Sequence, residues 1–353
     1  MEFPKDSNLP THLLASCFDS TSATYKYYWF LSILDCLNGE KRIIEKRDLF
    51  ARMVAIPWYT VNYFQVSFGK QDVIHRAVEN IKRIENISIE EHKSVIVEKL
   101  VQSQNQETQK TLNHFNNQVP HWFLAPWLKG EKLISRIYSR SQGFENDCLY
   151  ALYPNHVEIN SSWIPYLIQN IRFLRDFCFW NLAIFLQKRN PGLPDVPSKL
   201  IKPPSRSPLT NQRKNFWNLF FDEVGTMKCI YTGENLNKSN YVVEHFIPHR
   251  YVCHDLIWNL VPADSSFNST KSDKIPVLED FFDDFYEIHR KAIEIVSIKD
   301  PKSNYLFEYL DIFQGVQDIQ KLSESFEKEK FRKTFNPMVL MAINNGFQSL
   351  AKS

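Results

Sequence analysis

Over most of residues 1–188, apolar side chains recur every three or four positions, the spacing of one buried helix face. Segments 24–38, 43–55 and 71–84 are predicted as helices of this kind, and 89–115 as one long, polar, Gln-rich helix. Pro57 interrupts the second, and Phe68-Gly69 punctuates the approach to the third. Segment 164–188 is more uniformly apolar, which predicts the central helix of this half. Tyr25, Tyr27, Tyr28, Trp29 and Phe30 have the spacing of core aromatics rather than of a base-stacking platform. Asp35 breaks the apolar run 27–37, and Arg172, Arg175 and Asp176 break 163–187, so neither is expected to span a bilayer.

The pattern changes at 189–214. Six prolines (Pro191, Pro194, Pro197, Pro203, Pro204, Pro208) fall there, with Arg189, Lys199, Lys202, Arg206, Arg213 and Lys214 against the single acid Asp195. Such a stretch predicts a semi-rigid basic connector between a helical domain, 1–188, and a second domain, 215–353. In the second domain Tyr241, Val242 and Val243 predict a strand ending at Glu244 and His245, because Pro248 has no N–H for a ladder. Segment 256–261 predicts a second short strand closed by Pro262. Asp264 is placed to cap a short helix that Pro276 bars from continuing. Helical spacing returns at 278–296, 305–313 and 317–335, with a last segment from Pro337.

Strand, loop, strand and helix make a small platform, 229–276, on which chemistry-bearing residues converge. His245 has a side chain that is ordinarily neutral near pH 7 and can take a proton from water. The Glu244 carboxylate and the Asn268 amide oxygen are hard ligands suited to Mg²⁺ or Mn²⁺, which would hold a phosphate and the leaving oxygen. Lys271, three residues after Asn268, shares its helix face and is expected to meet a backbone phosphate. Adjacent side chains of a flat strand point to opposite faces, so the strand must end or bulge where Glu244 meets His245.

The order acid–His, Asn259, Asn268, Lys271 resembles the HNH endonuclease family. Its spacing is closest to that of the HNH module of RNA-guided CRISPR effector nucleases. The resemblance covers about 50 of 353 residues. It implies a ββα-metal fold in which His245 is the general base, Glu244 and Asn268 bind the metal, and Asn259 orients the histidine or its loop. The sequence carries Glu244 where the family more often has Asp. Many relatives brace this fold with a zinc held by two Cys-x-x-Cys pairs. Here Thr232 stands where Cys229 would need its partner, so no structural zinc is expected.

Charge adds a constraint. Segment 229–276 carries Lys238, Arg250, Lys271 and Lys274 against Glu234, Glu244, Asp255, Asp264 and Asp273, a net charge of −1. Such a platform grips a polyanion poorly, so nucleic-acid contacts are assigned elsewhere. Lys129, Lys132, Arg136 and Arg140, spaced for one helix face, are the candidates beside the connector. Six scattered cysteines predict a reducing, cytoplasmic setting without disulfides.

The reading is a mostly α protein: a helical N-terminal domain and a small HNH platform packed with C-terminal helices. Its expected activity is metal-dependent hydrolysis of DNA phosphodiesters in restriction or another antiviral defence, with RNA the alternative substrate. A catalytically silent HNH fold that binds nucleic acid or a partner is the rival. One acid–His pair makes one hydrolytic centre, so cutting both strands calls for a homodimer, with 89–115 nominated for the contact. A partner protein sensed by the helical half is the remaining expectation.

Overall fold

Amphipathic and aromatic-rich segments make this chain mostly helical, and the computed structural model shows how they pack. It describes residues 3–37, 42–201, 208–313 and 319–352, apart from the side chains of Asn268, Ser269 and Gln320. The chain divides into two compact units. One comprises Met1–Pro191 with Val196–Lys202, the other Gly192–Asp195 with Pro203–Ser353.

In the first unit, α1 (Tyr25–Leu37) buries Tyr27, Tyr28, Trp29 and Phe30. These aromatics are core, as their spacing predicts. Trp29 Nε1 donates to Tyr150 Oη at 3.0 Å, and Tyr150 Oη donates to the Pro120 carbonyl at 2.6 Å, so both buried polar ends are satisfied.

The expectation of near-total helix fails at three short strands. β1 (Ile43–Glu45) replaces the first turn of the helix expected over 43–55, and α2 (Lys46–Ala55) follows. The cause is pairing: β1 lies antiparallel to a later strand with Ile44 opposite Val157, both buried. The Lys46 N–H donates to the Asn155 carbonyl at 2.8 Å where strand gives way to helix. After α3 (Val73–Glu85), the long helix expected over 89–115 is two, α4 (Lys93–Gln102) and α5 (Gln106–His114). Asn105 starts the second, its side chain accepting from the N–H groups of Glu107 (2.9 Å) and Thr108 (3.3 Å), the capping that separates helices.

Beyond α6 (Ile134–Gln142), β2 (Tyr150–Leu152) and β3 (His156–Ile159) complete an antiparallel sheet of order β1-β3-β2. The apolar segment 164–188 is also interrupted, at Asn170, giving α7 (Trp163–Gln169) and α8 (Ile171–Gln187). The Asn170 Nδ2 donates to the Tyr166 carbonyl at 2.9 Å, one of the orphan acceptors at the end of α7. Within the connector, Val196–Leu200 is helical and Lys199 is wholly buried. Lys202, Pro203, Pro204 and Arg206 lie outside the described residues.

In the second unit, helical backbone runs from Thr210 through a π-helical turn at Arg213–Trp217 into α9 (Asn218–Val224). β4 (Thr226–Lys228) and β5 (Asn235–Asn237) form one ribbon, β6 (Tyr241–His245) and β7 (Leu260–Asp264) another. β7 lies later than the strand expected at 256–261 and runs through Pro262, which sits opposite Val243. A two-stranded ribbon tolerates proline because the missing donor can fall on an open edge. Next come α10 (Ser265–Lys271), β8 (Ile275–Pro276), α11 (Leu278–Lys299), α12 (Asn304–Leu310), α13 (Lys328–Asn344) and β9 (Ser349–Leu350), the last parallel to β8.

Pro337 lies inside α13 instead of beginning a new segment. The helix survives because its apolar face is held: Phe331 and Phe335 pack with Phe282 and Phe285 of α11. Phe246, just past β6, stacks on Phe285 with ring centroids 4.1 Å apart. The C-terminal helices thus supply the floor on which the ribbon rests.

Candidate active site

β6 ends where the sequence requires. Its last ladder pairs are Glu244 with Val261 and His245 with Leu260. Pro248 has no N–H to continue the ladder, and a side chain takes over. Phe246 N–H donates to the Asn259 carbonyl at 2.7 Å, and Ile247 N–H to Asn259 Oδ1 at 2.8 Å. Asn259 Nδ2 returns a bond to the Ile247 carbonyl at 2.8 Å. The wholly buried Asn259 amide therefore stands in for a strand residue and fixes the exit of the chain from His245.

Because the strand stops there, its last two side chains go to different partners. His245, 5% exposed, places Nε2 2.9 Å from Asp255 Oδ1. Its ring centroid is 5.4 Å from that of His249. Glu244 Oε1 lies 3.2 Å from Lys271 Nζ, and the Lys271 side chain is fully buried. Below them Asp264 caps α10, its Oδ1 accepting from Ser266 N–H at 2.8 Å, while the Asp264 N–H points to Cys229 Sγ at 3.4 Å. Arg250 Nη1 meets Asp273 Oδ2 at 3.0 Å and ties the loop after β6 to the segment after α10.

A strand closing on an acid–His pair, an asparagine-clamped loop and a capped short helix bearing Lys271 fit one family. Residues 229–277 match the family model described as HNH endonuclease. The match is confined to this segment. No curated protein and no solved structure matches the chain.

Within the HNH region, Asp255 is the candidate residue that sequence reasoning passed over, its carboxylate on His245. An ionised carboxylate only accepts hydrogen bonds, so Nε2 of His245 carries the proton and Nδ1 is the nitrogen left to receive one. The hydrogen bond to His245 holds the Asp255 carboxyl below its ordinary range. Backbone contacts fix this loop: Gln212 Nε2 donates to the Asp255 carbonyl at 3.3 Å, and Ile257 N–H donates to the Glu308 carboxylate. Burial, aided by the charges of His245 and His249, pushes His254 down to about 4, so it stays neutral beside the pair. The only sequence signal for Asp255 was an acid ten residues after the histidine, and loops obey no spacing rule that would link them.

The other predicted residues fall as follows. Lys271 is wholly buried against Glu244, a different setting from the phosphate-facing side chain expected of it. The backbone of Asn268 is in α10, but its side chain lies outside the described residues. Among the described residues no group of three or more His, Cys, Asp or Glu side chains is arranged to hold a metal ion. Glu244 is a hard oxygen ligand of the kind of which Mg²⁺ ordinarily takes one or two, and its carboxylate faces the Lys271 ammonium. The described part of the expected donor set therefore suits the ion in its chemistry. In the first unit, Lys129, Lys132, Arg136 and Arg140 do not line one helix. α6 starts only at Ile134, and Gly130 turns the chain between the two lysines with φ +80°. Arg140 is bound to Glu145 at 2.8 and 2.6 Å, whereas Lys129, Lys132 and Arg136 are exposed. Among the described residues no helix is long and apolar enough to cross a membrane.

Proposed function

We propose that the HNH region hydrolyses phosphodiester bonds of DNA, using His245 Nδ1 as the general base and a divalent cation, Mg²⁺ or Mn²⁺, held by Glu244 and Asn268. The observation that carries this reading is the His245–Asp255 pair at the end of β6, one residue from Glu244, inside the matched segment. Asp255 keeps the imidazole in the tautomer whose outer nitrogen can accept a proton from water, and its charge favours the imidazolium that results. Asn259 holds the backbone that aims the ring. The cation, when bound, would neutralise charge building on the phosphate. Restriction or another antiviral defence is the setting in which we place this activity, and a homodimer would supply the second centre for a double-strand break.

One observation favours a second reading. Lys271 already neutralises Glu244 from inside the protein, as it would in an HNH fold that binds nucleic acid without cutting it. Supercoiled plasmid titrated with Mg²⁺ and Mn²⁺ separates the two. A nuclease converts plasmid to nicked circles only with metal, and folded His245→Ala loses at least ~10²-fold of that rate. A mobility shift with no cleavage at any metal concentration would establish the silent reading. Equal cleavage by His245→Ala would remove His245 from the mechanism.

A further inference from the structure

The first unit contains a cleft of about 340 Å³ that the nuclease reading does not use. Its walls include Lys46 and Arg47 at the start of α2, with Asn113, Asn116 and Asn155 around them. Both cations lack an acidic partner among the described residues. Lys46 is 3% exposed, and its Nζ donates to two neutral groups, Asn116 Oδ1 at 2.9 Å and Tyr138 Oη at 2.6 Å. Arg47 spends Nη2 on the carbonyls of Leu100 and Ser103, while its buried Nε donates to nothing.

A buried cation facing only neutral dipoles is costly to maintain, and a buried donor without an acceptor adds to that cost. The strain appears in the ionisation of the site: burial draws Lys46 down to about 8, and burial together with the Lys46 charge holds His121 below its usual value. Elsewhere in this unit a buried charge is matched by opposite charge, as where Arg175 and Lys93 converge on the buried Asp35. In the cleft neither cation is paired with an acid among the described residues; Glu45, which also lines it, is solvent-exposed and screened by water.

We propose that this cleft binds a small phosphorylated ligand, its phosphate received by Lys46 and Arg47. Two cations suit a dianion, and the guanidinium geometry suits phosphate oxygens. The asparagine amides would face the rest of the ligand. At ~300–1,000 Å³, ligand pockets hold molecules of drug size, and this cleft lies at the lower end, enough for a mononucleotide. The proposal concerns the first unit alone and does not depend on the nuclease reading.

Isothermal titration of the full chain with inorganic phosphate, AMP and acetate, at constant ionic strength, tests it. Phosphate, AMP or both should bind at least tenfold more tightly than acetate. AMP exceeding phosphate by tenfold or more would identify a nucleotide as the ligand, and equal binding would identify free phosphate. Lys46→Met should weaken binding at least tenfold. Asn155→Asp, which sets a repelling carboxylate on an exposed side chain, should do the same without shifting the melt of the unliganded protein. Failure of both phosphates to exceed acetate overturns the proposal, as does unchanged binding in both folded variants.

Discussion

Lys271 in one unit and Lys46 in the other are both buried, and the fold treats them in opposite ways. Lys271 in the HNH region has its ammonium beside the Glu244 carboxylate and is fully shielded from water. Lys46 in the first unit is nearly as deep but meets only an amide oxygen and a phenol. A buried ion pair is held by mutual attraction, and losing one partner strands the other. A buried cation among neutral groups has less to lose and more to gain from an incoming anion. The comparison separates a closed electrostatic site, which the fold has completed, from an open one.

The sharpest way to break the comparison is Glu244→Gln. It leaves Lys271 buried without its carboxylate and should cost about 3 kcal/mol of unfolding free energy, the lower end for a broken buried pair. A loss below ~1 kcal/mol in chemical denaturation would mean that water reaches Lys271 freely. The second effect is pH-dependent. His254 has a folded pKa of about 4, below the ordinary histidine value, because it is buried. The unfolded chain therefore takes up the proton first as pH falls. Stability is full above ~6.5 and should decline between ~6.5 and 4, by up to about 3 kcal/mol. Wholly buried His289, held down to about 3, adds to the same decline. His254→Asn, which can still accept the Leu256 N–H, should flatten the melting temperature across that window, and an unchanged slope would exonerate His254.

Smaller still is Asn259→Ala. It strands the Ile247 N–H and carbonyl, an expected loss of about 2 kcal/mol, with the melt falling even where no nucleic acid is present. The smallest effect sharpens the comparison from the other side. Lys46→Met replaces an unpaired buried cation by an apolar side chain of similar length and should change stability by less than about 1 kcal/mol. A loss as large as that of Glu244→Gln would show that Lys46 is as fully compensated as Lys271.

What the sequence revealed here was what short-range rules govern. Strand propensity in Tyr241, Val242 and Val243, the missing donor of Pro248 and the capping oxygen of Asp264 each act within a few residues, and β6 and α10 stand where those rules put them. Asn259 was legible as a loop-orienting residue only through the order of the motif. The residues that escaped are those whose role depends on distant packing. Asp255 reaches His245 because Gln212 and Glu308 hold its loop, and nothing local announces that. Lys271 sits on the predicted helix but is wholly buried, a fact about the surrounding unit. The same holds for β1, β2 and β3, each only three or four residues long, too short to show a period and formed by pairing with one another across the sequence. Pro337 is the converse case, a strong local breaker overruled by Phe331 and Phe335 in the aromatic core.

Pro262 has a consequence for the register of the ribbon. Sliding β7 by one residue against β6 would turn the proline nitrogen, which has no hydrogen to donate, toward a β6 carbonyl and leave that acceptor without its partner. The proline opposite Val243 therefore locks the alignment of the ribbon whose end carries Glu244 and His245.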